Sequence, residues 1–241
     1  MITEDVTDLS PASDGGIWIT HYHLGIDHYN NQTRKITHYN AKDIKGLSSG
    51  HFWCAKEDNN GNLYVGLQKG GLAVIDIKTR TAKVYHHDPN NPHSIPNNTV
   101  HCIFISKTNS IWIGTENGLA LFNPQKERFI SFRNQPDNPT SILSNQINDI
   151  GESKDGKLWI CTQMGISILD LNENVFTTPQ NTHFQNIKAT NDLHGISSPN
   201  AKSFMQDSFG NIWIGNYRGG VDFLSYEYPT FQTLDYNILK D

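Results

Sequence analysis

The feature that most constrains this chain is a column of aromatic residues that returns five times. Trp18, Tyr64, Trp112, Trp159 and Trp213 are separated by 46, 48, 47 and 54 residues and sit in the segments IWIT, LYVG, IWIG, LWIC and IWIG. Three residues before each stands Gly15, Gly61, Asn109, Gly156 or Gly210, and six or seven after it stands Gly25, Gly70, Gly118, Gly165 or Gly219. Apolar pairs precede the column by twelve and nine residues: Val6/Leu9, Phe52/Ala55, Val100/Ile103, Ile147/Ile150 and Ala201/Phe204. Agreement at five offsets in five copies marks an internal repeat. A period of about 40–50 residues holding several short strands is that of a propeller blade.

Each repeat divides into four strands, typified by Val100–Ser106 (A), Ile111–Thr115 (B), Leu119–Asn123 (C) and Arg128–Phe132 (D). The expected fold is therefore all-β: one β-propeller over 1–241, with four-stranded blades near 1–50, 51–98, 99–145, 146–199 and 200–241. A content of 10% aromatics and 19 glycines suits such a fold. The A–B links, such as Asp58-Asn59-Asn60-Gly61 and Lys154-Asp155-Gly156, suit tight hairpins with a left-handed residue. The IWIG strands are apolar on both faces, so Trp18, Tyr64, Trp112, Trp159 and Trp213 are expected to pack between blades rather than bind ligand. A strand A starts at Val6 and a D-like strand, Thr230–Tyr236, ends the chain. That pattern is consistent with a closed five-bladed ring or with a fragment of a larger propeller.

Strand alternation puts the B–C and D–A loops on one rim, where varied loops on a rigid frame are the natural place for a site. The B–C loops read His21-Tyr22-His23, Gln68-Lys69, Glu116-Asn117, Gln163-Met164 and Asn216-Tyr217-Arg218. Amides, rings and a guanidinium suit a sugar's paired hydroxyls and C–H face. Lys69, Arg218 and the histidines would also suit an acidic sugar's carboxylate. In an extended strand His21 and His23 would point the same way, as a metal pair does, but no third ligand stands near them in sequence. His86 and His87 would point to opposite faces. Asp8 and Asp149 share one repeat offset, and Asp27 and Asp222 fall at or near strand C. These are the carboxylates that a propeller glycosidase would need to converge. The longest connection, Thr177 to Pro199, carries Phe184, Ile187 and Leu193 and is expected to fold over the rim or meet a partner.

Two segments bear a family likeness. His87-Asp88-Pro89-Asn90-Asn91-Pro92-His93-Ser94-Ile95-Pro96-Asn97-Asn98-Thr99-Val100 leads into Ile111-Trp112-Ile113-Gly114-Thr115. Asn134-Gln135-Pro136-Asp137-Asn138-Pro139-Thr140-Ser141-Ile142-Leu143-Ser144-Asn145 leads into Leu158-Trp159-Ile160, and Gly210-Asn211-Ile212-Trp213-Ile214-Gly215-Asn216-Tyr217-Arg218-Gly219-Gly220-Val221 is a third copy. The combination resembles the regulator-propeller repeats in the periplasmic sensor regions of hybrid two-component systems of Bacteroidetes. That resemblance implies a periplasmic, ligand-sensing piece of a membrane-anchored histidine kinase, an oligosaccharide signal, homodimeric sensing and no catalysis by the piece itself. It also implies more than five blades in the parent.

The remaining numbers narrow the classes. A formal charge of −5 offers nothing to nucleic acid or an anionic membrane. No apolar run approaches the roughly 20 residues of a membrane span, and no signal peptide precedes the first repeat, so either the protein is cytoplasmic or a targeting segment has been cut away, and Met1 directly before a repeat favours the second. Cys54, Cys102 and Cys161 fall in strands and form neither a disulfide framework nor a metal motif. No cofactor motif is present. Three functions stand open: carbohydrate sensing, partner or self docking through the rim, and glycan-active catalysis.

Overall fold

The computed structural model describes residues 5–47, 50–171, 175, 179–190, 195–227 and 229–234. Its strands form five antiparallel sheets of four strands, each in chain order, which are propeller blades. The first comprises β1 (Val6–Pro11), β2 (Ile17–His21), β3 (Gly25–Asn30) and β4 (Lys35–Tyr39). The second comprises β5 (His51–Glu57), β6 (Asn62–Gln68), β7 (Gly71–Asp76) and β8 (Thr81–Tyr85). The third comprises β9 (Val100–Ile105), β10 (Ile111–Thr115), β11 (Gly118–Asn123) and β12 (Arg128–Phe132). The fourth comprises β13 (Ile147–Glu152), β14 (Lys157–Thr162), β15 (Gly165–Asp170) and β16 (Gln185–Ile187). The fifth comprises β17 (Ala201–Gln206), β18 (Ile212–Asn216), β19 (Val221–Leu224) and β20 (Phe231–Leu234).

The chain forms two compact units, residues 1–116 with 120–131, and residues 117–119 with 132–241. In the first, the inner strands β1, β5 and β9 lie side by side in succession, and in the second β13 lies beside β17. Apolar residues fill the spaces between sheets. One cluster joins Trp18, Ile26 and Ala12 to Phe52, Leu63 and Val65; another joins Tyr64 and Leu72 to Ile103, Ile113 and Phe122. In the second unit Trp159, Cys161 and Ile168 pack with Ala201, Ile212 and Ile214. Four of the five column aromatics are buried, and Trp213 is half-buried against Phe223, ring centroids 4.6 Å apart.

The polar edges of four of these aromatics find partners near the A–B turns. Asp58 Oδ2 accepts the Tyr64 hydroxyl at 3.2 Å, Ser153 Oγ accepts the Trp159 indole N–H at 3.2 Å, and Asp207 Oδ2 accepts that of Trp213 at 3.1 Å. All three acceptors stand six residues before their aromatic. Trp18 has Ala12 there and donates instead to Glu57 Oε2 of the next blade, at 2.7 Å. A buried N–H or O–H without a partner would cost about 1–3 kcal/mol, which explains why the turn carries an acceptor.

The structure corrects several details. The left-handed glycine ahead of strand C is Gly71 (φ +79°) in blade 2 and Gly220 (φ +72°) in blade 5, one residue past Gly70 and Gly219. The glycine is needed because the turn lies against the end of strand D: a Cβ on Gly71 would stand 2.1 Å from the Tyr85 carbonyl oxygen. The long connection after blade 4 does not lie free over a rim. It supplies that blade's outer strand, with Gln185–Ile187 paired to Ile166–Ile168, and its Phe184 is buried against Phe132 at 5.8 Å. Thr177, Leu193 and the chain from 235 onward lie outside the described residues.

Candidate functional site

Every inner strand carries one irregularity, at the same place. The pairing of strand A with strand B slips between Val6 and Asp8, Phe52 and Cys54, Ile147 and Asp149, and Ala201 and Ser203. In blade 3 the slip shows in the partners of Gly114 and Thr115, which are Cys102 and Val100. The residues left out of the ladder are Thr7, Trp53, His101, Asn148 and Lys202, all eleven before the column aromatic. A bulge re-aims its extra side chain and is a common device beside binding sites. Four of these five are half-buried and Lys202 is exposed.

The B–C loops sit against the D–A connections next to these bulges. The residue four after the column aromatic donates its backbone N–H to the connection in four blades: Tyr22 to Asp5 O (3.0 Å), Glu116 to Thr99 O (3.1 Å), Gln163 to Gln146 O (3.2 Å) and Tyr217 to Asn200 O (2.9 Å). Within each of these four blades, B–C loop and D–A connection therefore share a rim.

In the first unit, four rings gather there. Tyr22 stacks on His51 with centroids 4.4 Å apart, and His23 meets both edge-on, at 4.5 Å from Tyr22 and 4.7 Å from His51. Trp53 lies 6.2 Å from Tyr22. The Tyr22 hydroxyl donates to Gln68 Oε1, tying two blades together at the cluster. Lys69 is exposed beside it, in a left-handed conformation (φ +64°). Glu116 is exposed.

In the second unit the chemistry is amide and cation. Lys202 Nζ donates to Asn148 Oδ1 at 3.2 Å and lies 5.8 Å from the Tyr217 ring centroid; Arg218 Cζ lies 5.2 Å from the same centroid. Asn148 Nδ2 donates to Ala201 O at 2.6 Å and to Asn200 Oδ1 at 3.1 Å. Gln163, Met164 and Asn117 are exposed, and Asn117 O accepts from Arg133 Nε at 3.2 Å.

Two expected rim residues turn inward. His21 is the last residue of β2 and only 2% exposed; its Nε2 lies 3.1 Å from Asp27 Oδ2, and Asp27 Oδ1 lies 2.5 Å from His38 Nδ1. Strand parity does not carry through to His23, because the strand ends at His21, so the two rings serve different neighbours. Asn216 plays the His21 part in blade 5, donating Nδ2 to buried Asp222 at 2.8 Å, while Thr233 Oγ1 donates to the same carboxylate at 2.8 Å. Among the described residues no three His, Cys, Asp or Glu side chains gather as a metal site.

The other carboxylates are also engaged. Asp8 Oδ2 accepts the N–H of Ala55 at 3.2 Å, and Asp149 Oδ2 accepts that of Phe204 at 2.9 Å. Each carboxylate thus straps its blade to the inner strand of the next, at one repeat offset.

The family model described as two component regulator propeller matches residues 94–117, 141–164 and 195–218. The extracellular domain of a hybrid two component system from B. thetaiotaomicron is 36% identical, with a TM-score of 0.76, over 92% of this chain and 27% of that one. The extracellular domain of a one component system from the same organism is 19% identical, with a TM-score of 0.68, over 91% of this chain and 27% of that one. Virginiamycin B lyase from Staphylococcus aureus is 14% identical, with a TM-score of 0.65, over 98% of this chain and 72% of the lyase. At these last two identities the likeness is one of fold. No curated protein sequence matches the chain. The chain spans about a quarter of the length of the two extracellular domains. Among the described residues no helix is long and apolar enough to cross a membrane.

Proposed function

The chain belongs among the two-component regulator propellers, and on that footing we propose that it is a ligand-sensing part of an extracytoplasmic signalling propeller whose ligand is an oligosaccharide. The observation that carries the ligand class is the ring cluster Tyr22, His23, His51 and Trp53 on the rim of the first unit. Flat rings beside amides such as Gln68 match a sugar's C–H face and its hydroxyls. That the 36% identical relative is the extracellular domain of a hybrid two component system supports a periplasmic setting and a role in signalling rather than turnover. The roles of Asp8 and Asp149 as interblade acceptors argue the same way, since both carboxylates are held by backbone N–H groups.

Calorimetric titration of the folded chain against a panel of oligosaccharides tests the proposal. Binding should appear for at least one, and Trp53→Ala should weaken it by about tenfold, the order of a lost aromatic contact. A monodisperse, folded sample that binds no saccharide sinks the reading. Docking of a partner or a second copy is the next reading, favoured by Phe209 and Tyr226, which are 82% and 75% exposed on blade 5. Sedimentation of the chain over a concentration series would reveal self-association.

A further inference from the structure

The cluster around Tyr217 brings two cations to one aromatic ring. Tyr217 is 52% exposed. Lys202 and Arg218 both lie within cation–π range of its ring. Among the described residues neither cation has a carboxylate within 4.0 Å, in a chain whose 24 acidic residues outnumber 19 basic ones. Both positions carry signs of construction. Lys202 is the bulge residue of β17, and its ammonium is steadied by Asn148, the bulge residue of β13. Arg218 holds a left-handed backbone (φ +57°), which an L side chain adopts only at a cost.

We propose that this cluster binds the anionic group of an acidic saccharide, a uronate carboxylate or a sulfate ester. Lys202 and Arg218 meet the charge, and the exposed part of the Tyr217 ring meets the sugar's apolar face. This rests on the carbohydrate reading given above and assigns an acidic saccharide to the second unit's own rim. Asn148 acts as a positioning residue, since its side-chain oxygen is spent on Lys202 and its nitrogen on Ala201 and Asn200. Two cations suit one anionic group per sugar. A polyanion such as nucleic acid would meet the chain's net charge of −5 over the rest of the surface.

Three matched oligosaccharides separate the outcomes: a hexuronate, its neutral hexose counterpart and a sulfated form, each titrated calorimetrically at low and moderate salt. The acidic forms should bind at least about tenfold more tightly than the neutral one, and salt should narrow that gap. Lys202→Ala and Arg218→Ala should each weaken acidic binding by about tenfold, while Trp53→Ala leaves the acidic preference in place. Whichever of uronate and sulfate binds more tightly identifies the anionic group. Both exposed substitutions should leave the melting temperature unchanged, and Lys202→Gln provides a second variant that keeps the stem. Neutral and acidic sugars binding alike, or acidic binding indifferent to both substitutions, overturns this inference and leaves the broader one standing. Binding of no sugar at all overturns both.

Discussion

Asp149 Oδ2 accepts the backbone N–H of Phe204, 2.9 Å away on the next blade's inner strand. Asp8 and Ala55 repeat the contact in the first unit at 3.2 Å. A carboxylate at this offset therefore works as an interblade strap. Asp149→Ala should lower unfolding free energy by about 1–3 kcal/mol, as for a lost hydrogen bond to a charged group. Asp149→Asn keeps an acceptor and should recover part of the loss. Urea denaturation of the three proteins measures the order, and an Asn variant as unstable as Ala would refute the strap.

Gly71 and Gly61 make a controlled pair. Both have positive φ, +79° and +82°, but a Cβ on Gly71 would stand 2.1 Å from the Tyr85 carbonyl, whereas nothing lies within 4 Å of one on Gly61. Gly61→Ala should therefore cost only the left-handed penalty, about 1–2 kcal/mol. Gly71→Ala adds displacement of strand D and should cost clearly more, by thermal or urea melts.

All three cysteines are buried and reduced. Burial pushes the Cys161 thiol well above its ordinary value, and the nearby Asp149 carboxylate adds to the push. A thiol-reactive chromogen should thus label none of the three at neutral pH in the native chain, and all three once denaturant is added. Rapid labelling of one thiol in the folded protein would show a local opening of its strand.

Acid should destabilise the turns. Asp14 is held below the usual carboxylate range chiefly by the Gly16 backbone N–H, and Asp76 by that of Thr79. A depressed folded pKa contributes stability above the unfolded value and loses it as pH falls through the folded one. These two groups therefore leave the melting temperature flat between pH 7 and 5 and begin to lower it below about pH 4. Asp14→Asn should blunt that fall in a pH series of melts.

The blades were legible because what recurs can be read by recurrence: the column aromatic, the turn glycine and the apolar pair at twelve and nine. The bulge was encoded there too. Phe52 and Ala55, or Val100 and Ile103, are all buried yet three apart, and in a regular strand an odd separation puts side chains on opposite faces. The extra residue between them brings both to one face of the sheet. The bulged residues themselves escaped because Thr7, Trp53, His101, Asn148 and Lys202 share no chemistry, and a repeat search discards what varies. His21 was misplaced by a single position at a strand end, which sequence patterns resolve poorly. The outer strand of blade 4 was hidden for another reason: it is three residues long and lies within the widest spacing.

A residue that sits outside its ladder makes no backbone pair there, so the bulge gives each blade one place whose identity the strand pairing does not dictate. Threonine, tryptophan, histidine, asparagine and lysine already occupy it in this one chain. Exchanging them should alter what is held, at a cost in melting temperature where the side chain also bonds the next blade, as at Thr7 and Asn148, so that new specificities can arise from the same frame one blade at a time.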